Sequence, residues 1–274
     1  MSESTQSIER EAWKNVQIVE STLNVPGGRL FVKRWIPPIE DNPRNPPPII
    51  LFHDSVGCVE MWRHFPIALA IRLNRTVIAY DRLGYGRSSE RQEFPSIRFV
   101  REEAEKFFPL ISSGLGLSKY LLFGHSVGGA MAVIAAALFP HVCDAVITEA
   151  SQAFVEIKTL KAIAAAKEKF KHPAELEKLA RFHGKKARWV VDAWTETWLT
   201  PEFADWSLRE NLAQVQCPLL AIHGDRDEYG SDAFPEVLAS VRCGDKLIVK
   251  NCGHVPHREH ERLVVEAVAC FLRR

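Results

Sequence analysis

What this 274-residue chain lacks narrows its chemistry before any motif is considered. None of its six cysteines, at 58, 143, 217, 243, 252 and 270, belongs to a C-x-x-C pair, so neither a zinc ribbon nor a dithiol redox motif is expected. Reduced, mostly buried thiols of a cytoplasmic protein are the reading. Missing, too, is any apolar run of the roughly 18 to 20 residues that cross a bilayer. The longest, around Ala130 to Phe139, predicts a core helix instead. Nor is there an excess of charge: 35 basic residues against 34 acidic ones leave +1. Such a balance sets up no broad field toward nucleic acid or an anionic membrane, and it points to a small, largely uncharged substrate. The first ten residues, Met1 to Arg10, are polar and acidic where a signal peptide is basic and then apolar, which again favours a cytoplasmic location. Repeats and disorder-prone composition are absent, since 46% hydrophobic and 25% charged residues are close to the globular average.

What is present is organised around Leu121 to Phe139. A short apolar run, Leu121 to Phe123, stops at Gly124, and apolar residues resume at helical spacing after Ser126, implying strand, sharp turn and helix. Gly124-His125-Ser126-Val127-Gly128 fits a nucleophile elbow, in which a serine is held on a strained turn. Glycines at both flanks allow strand and helix to approach closely enough to force that backbone. The helix beginning there supplies amide donors and a positive dipole end for a developing oxyanion.

The remaining chain alternates strands and helices. Strands are expected at Val16 to Val25, Arg29 to Ile36, Pro48 to Phe52, Thr76 to Tyr80, Leu121 to Phe123, Asp144 to Glu149, Pro218 to Ile222 and Lys246 to Val249. Residues 1 to about 15 read as a polar lead-in or first helix, and Asp41 to Pro48, with four prolines, as a surface connection. The second strand mixes apolar and charged residues on both faces, as a partly exposed strand near a sheet edge does. Helices are expected at Val59 to Leu73, Ser96 to Ser113, Ser231 to Val241 and Arg258 to Leu272. This rhythm predicts an α/β fold: a mostly parallel, eight-stranded sheet flanked by helices, with ligands beyond the carboxyl ends of the strands. Residues 151–211 break the pattern and read as a helical cap inserted in a core formed by 1–150 and 212–274.

A serine hydroxyl needs a base and an orienting acid. His254, just past the last strand, is the expected base, whereas His257 and His260 read as the solvated start of the last helix. Asp227 is the expected acid, with Asp225 holding its own turn and Glu149 as the alternative acid. The order Ser126, Asp227, His254 suits this arrangement. Backbone N–H groups of Ser55 and Val127 are the expected oxyanion donors. Four tryptophans at 189, 194, 198 and 206 either line an apolar pocket, with Trp194 and Trp198 as substrate contacts, or form the core of the helical insertion.

With these residues in place, the chain resembles an α/β-hydrolase of the capped, esterase-like kind. The resemblance is carried by Gly124 to Gly129, Asp81 to Ser88, His223 to Asp227 and Gly253-His254, and it covers residues 16 to 274. It implies that Asp81 to Ser88 is structural and that an ester, thioester or lactone is cleaved through an acyl-enzyme, without metal or organic cofactor. On the same triad it also implies carbon–carbon bond hydrolysis or perhydrolysis as alternatives; epoxide and haloalkane chemistry would need an Asp at position 126. One departure stands out: Asp54 occupies the position where such proteins carry Gly after His53. Because a fold does not fix function, a non-catalytic module binding a small ligand is the alternative of a different class. Whether the chain forms a homo-oligomer is left open.

Overall fold

The computed structural model describes residues 13–38 and 46–273. The expected lead-in and the start of the proline-rich connection therefore lie outside the described residues, apart from 13–15 and 46–48.

Eight strands form one sheet: β1 (Gln17–Val25), β2 (Gly28–Ile36), β3 (Ile49–Phe52), β4 (Val77–Tyr80), β5 (Tyr120–His125), β6 (Cys143–Glu149), β7 (Leu219–Gly224) and β8 (Gly244–Val249). Their spatial order is β1-β2-β4-β3-β5-β6-β7-β8. β2 pairs antiparallel with β1 and β4, and every pairing from β4 to β8 is parallel. Every residue of β3, β4, β5 and β7 is buried, which is why they read as unbroken apolar runs. The strand period of two sends Ile50, Phe52, Leu122 and Val146 into one layer and Ile49, Leu51, Phe123 and Ile147 into the other. Burying each such side chain contributes roughly 1.5 to 3 kcal/mol.

β2 lies near the sheet edge and is partly exposed, as expected. β1 is the edge strand, and β2 lies inside it with Leu30, Phe31, Val32 and Trp35 buried. The charge of Lys33 is accommodated there because its Nζ lies 3.0 Å from Glu60 and 3.5 Å from Glu20, over the Trp35 ring.

The helices are α1 (Phe65–Leu73), α2 (99–114), α3 (Val127–Leu138), α4 (Ile157–Lys169), α5 (Pro173–His183), α6 (Ala187–Leu199), α7 (Arg209–Leu212), α8 (Ala233–Leu238), α9 (Pro256–Glu259) and α10 (Glu261–Phe271). The helix expected from Val59 is in fact a 3₁₀ turn, Val59–Trp62, and α1, separated by Arg63 at φ 54°. α2 widens to a π turn over Glu103–Phe107. The last expected helix likewise divides, at His260, into α9 and α10. Between β6 and β7 the chain carries α4 to α7, and its two ends meet where Phe154 bridges Ser207 and Leu208 N–H donates to Ala153 O at 2.8 Å. All six cysteines are free, with Cys243 and Cys270 exposed and the other four buried. No helix among the described residues is long and apolar enough to cross a membrane.

Candidate active site

Ser126 follows β5 and precedes α3 with φ 54° and ψ −126°, a left-handed backbone that non-glycine residues avoid. Its neighbours explain how this is enforced. A Cβ on Gly124 would come within 2.2 Å of Gly128 O, and one on Gly128 within 2.1 Å of Phe52 O. Only glycines allow β3, β5 and α3 to converge there, and the convergence holds Ser126 in its strained turn. Ser126 N–H donates to Glu149 O at 2.8 Å, and its hydroxyl donates to Gln152 Oε1 at 3.4 Å. Val127 opens α3, where the first amides of a helix lack acceptors within it.

His254 lies past the end of β8, and Asp227 past β7, the neighbouring strand. The two side chains meet: His254 Nδ1 is 2.9 Å from both Asp227 oxygens. Asp227 is buried and also accepts Tyr229 N–H at 2.7 Å. Burial alone would push its carboxyl up, but the charge and hydrogen bond of His254, helped by His223 and the Tyr229 amide, hold it below the usual range. Lys158 and Thr159 of α4 clamp the same loop. Lys158 Nζ donates to Asp227 O and Gly230 O at 2.6 Å each, and Thr159 Oγ1 to Tyr229 O at 2.6 Å. Asp225, expected to bond its own turn, instead accepts Cys252 N–H at 3.3 Å and so joins the loops after β7 and β8.

His257 and Glu149 require a correction. His257 is buried, not solvated, and its Nδ1 lies 2.5 Å from Glu149 Oε2 at the end of β6. Glu149 is thereby spoken for and does not contact His254 as an acid would. His125, Glu149 and His257 also form the described group whose donor atoms could surround a cation, all within 4.8 Å of one another. Their contacts suit charge pairing. Glu149 takes His257, and the two nitrogens of His125 face Asp54 Oδ2 at 3.4 Å and His254 O at 2.7 Å.

Both carboxylate oxygens of Asp54 have partners. Its Oδ1 accepts Val56 N–H at 2.8 Å and its Oδ2 faces His125. Asp81 to Ser88 is structural: Asp81 accepts the amides of Val59 and Arg87 at 2.6 and 2.7 Å, and Ser88 Oγ bonds Asp81 O and Phe31 N–H.

An apolar cavity of about 440 Å³ is walled by Ala166, Phe170, Trp194 and Tyr229, with Lys169 and Glu228 also lining it. The Tyr229 ring lies 4.7 Å from that of His254 and 6.0 Å from that of Trp194. Trp198 does not reach the cavity. It is buried against Phe203 and Trp206, with ring separations of 5.0 and 5.8 Å. Trp189 packs on Tyr85, 5.7 Å away.

The helices between β6 and β7 are tied to the sheet by His183 at the end of α5. Its Nδ1 accepts Gly86 N–H and its Nε2–H donates to Val56 O, both at 2.9 Å. Acceptance at Nδ1 requires the neutral ring. Burial, only partly opposed by the Val56 bond, brings its pKa down to about 4 from 6.5. A depressed folded value means that this contribution is complete above the unfolded value and is lost as pH falls through the folded one. The stability advantage of the protein over His183→Leu, read from urea midpoints, should therefore shrink by up to about 1.4 kcal/mol per pH unit between pH 6.5 and about 4. A constant difference over that range would remove the tie from the account.

Gln152, His125, Tyr229 and Lys158 were not apparent as site residues from the sequence. The signals available were the position of Gln152 just after the sixth strand, of His125 inside the elbow, and the Asp at position 54.

Comparison with known proteins bears on the fold and family. The curated relatives include the 1-acylglycerol-3-phosphate O-acyltransferase ABHD5 of Homo sapiens, 34% identical over 114 residues, or 39% of this chain and 30% of that protein. The chain thus matches under a third of the length of that relative. The proline iminopeptidase of Lactobacillus crispatus strain ST1 is 24% identical over 270 residues, covering 82% of this chain and 89% of its own. Among solved structures, the 2-hydroxy-6-oxo-6-phenylhexa-2,4-dienoate hydrolase of Rhodococcus sp. strain RHA1 superposes with a TM-score of 0.72 at 18% identity, covering 94% of this chain and all of that one, a likeness of fold. The model of the alpha/beta hydrolase family matches residues 49–267, from β3 into α10. On that match, together with the sheet order and the elbow, the chain belongs to the alpha/beta hydrolase family.

Proposed function

We propose that the protein is a serine hydrolase that cleaves an ester, thioester or lactone of a small, largely uncharged substrate through an acyl-enzyme. The observation that carries this reading is the placement of His254 Nδ1 at 2.9 Å from both oxygens of a buried Asp227. With the Nδ1 proton committed to Asp227, Nε2 is left as the basic nitrogen. The contact of His254 O with His125, the residue preceding Ser126, brings the base to the elbow.

In the proposed reaction the Ser126 hydroxyl leaves Gln152 and turns to His254, which takes its proton as Oγ attacks the acyl carbon. The N–H groups of Val127 and Ser55 receive the oxyanion. His254 then gives its proton to the departing alcohol, and water, activated in the same way, frees the acid and restores Ser126. The engagement of both Asp54 oxygens, by Val56 N–H and by His125, supports this reading over a non-catalytic binding module, because the carboxylate already has partners of its own. The helices over 151–211 serve as the cap, and their cavity holds the apolar part of the substrate. Its wall of Ala166, Phe170, Trp194 and Tyr229 favours an uncharged group.

Labelling by a fluorophosphonate tests the chemistry without knowledge of the substrate. Modification of Ser126 is expected; a protein that stays unlabelled is not a serine hydrolase. Labelling without turnover of p-nitrophenyl acetate, butyrate or octanoate would move the assignment to carbon–carbon bond hydrolysis or perhydrolysis on the same residues. Within the ester series, Trp194→Ala should raise KM for the octanoate roughly tenfold and leave the acetate near its original value. Equal kinetics across chain lengths would take Trp194 out of the pocket.

A further inference from the structure

His125 sits between two groups that only accept hydrogen bonds. Its Nε2 is 2.7 Å from the carbonyl oxygen of His254, so that nitrogen carries a hydrogen. Its Nδ1 is 3.4 Å from the Asp54 carboxylate, and a neutral ring would turn a buried lone pair toward that negative charge. A second carboxylate, Glu149, ends the neighbouring strand β6.

We propose that Asp54 and His125 form a positioning pair for His254, in which His125 stays an imidazolium, held by Asp54, and pins the His254 backbone through Nε2–H. The proposal rests on the reading of His254 as the base. It gives the departure at position 54 a purpose: the carboxylate is the counter-ion of the residue beside the nucleophile. The groups around His125 agree. The Trp62 ring, at the end of the 3₁₀ turn before α1, lies 6.3 Å away, and the His254 ring 5.1 Å away. His257, 5.1 Å away on α9, is engaged by Glu149. Two arginines lie near the pair: Arg82 donates from Nη2 to Asp54 O at 2.7 Å, and Arg258, which lines the same crevice of about 10 Å³ as His53, Asp54 and His125, donates to Met61 O at 2.6 Å. Burial works against a charge on His125, but the bond to Asp54 and the charges of Glu149 and Asp54 outweigh it, so its pKa is raised from 6.5. The same contact, against the cost of burial, drives the Asp54 carboxyl far below its usual range.

The test follows the ring protons of His125 by ¹⁵N–¹H NMR of histidine-labelled protein and the pH profile of kcat/KM for p-nitrophenyl butyrate, in the protein and in Asp54→Asn. Asn at 54 keeps an acceptor for Val56 N–H and removes the charge. In the unaltered protein both ring nitrogens of His125 should stay protonated above pH 6.5, its ordinary value. In Asp54→Asn one proton should be lost there, with kcat/KM falling roughly ten- to a hundredfold on the alkaline side, mostly through kcat. Adding His125→Gln, an uncharged donor to the same carbonyl, should remove that alkaline limb. A single ring proton on His125 in the unaltered protein at mildly alkaline pH would overturn the proposal. So would an unchanged pH profile in Asp54→Asn. If the protein cleaves no ester, the NMR arm still decides the pairing, and the failure then belongs to the hydrolase reading.

Discussion

Ser126→Ala is expected to lower turnover of p-nitrophenyl esters by roughly 10⁴-fold or more, with KM little changed and the fold intact. The substitution removes only a hydroxyl, and alanine bears the same backbone constraint, so φ 54° at this position is no harder to hold than before. The single side-chain bond lost is the long one to Gln152, at 3.4 Å. A preserved thermal midpoint together with abolished turnover would place the chemistry on Ser126. Turnover within tenfold of the original would move the nucleophile elsewhere.

The second large effect is expected at Asp227, where Asn keeps the shape and reverses the proton logic. Oδ1 must go on accepting Tyr229 N–H, which lies 2.7 Å away. The amide nitrogen of Asn then takes the other position and faces His254 Nδ1 with a hydrogen of its own. Nδ1 becomes an acceptor, the ring proton moves to Nε2, and the base has no lone pair for Ser126. A loss of roughly 10⁴-fold in kcat is expected. Asp227→Asn should also lose fluorophosphonate labelling, since an unactivated serine reacts poorly; a variant that still labels at the original rate would show that Asp227 does not set the tautomer.

How far this could be read in advance depended on distance along the chain. The elbow was legible because Gly124, Ser126 and Gly128 act on one another within one turn, and the approach of Gly128 to Phe52 O shows the steric demand behind the pattern. The meeting of Asp227 and His254 was legible because both follow strands and β7 and β8 are neighbours. The pairing of Glu149 with His257 joins residues 108 apart, and nothing local to either announces the other. Trp194 does line the cavity, and Trp198 fails for a different reason. Spacing by four puts them on one face of α6, but it says nothing of depth along the axis, and one turn is enough to carry Trp198 from the cavity into the core. In β2 the charge of Lys33 hid how much of the strand is buried, because its partners, Glu20 and Glu60, come from other elements.

The clamp of α4 on the acid loop reaches beyond geometry. α4 supplies one wall of the cavity through Ala166 and, eight residues earlier, holds the carbonyls of Asp227 and Gly230 through Lys158. Under the proposed function, the part of the molecule that would select a substrate and the part that would orient the base are therefore a single lever. Any adaptation that widens the cavity by shifting α4 also loosens the carboxylate that orients His254. Selectivity and rate should consequently drift together as this protein diversifies, the more so because the other wall, Trp194 of α6, also packs on the acid loop with its ring 6.0 Å from that of Tyr229.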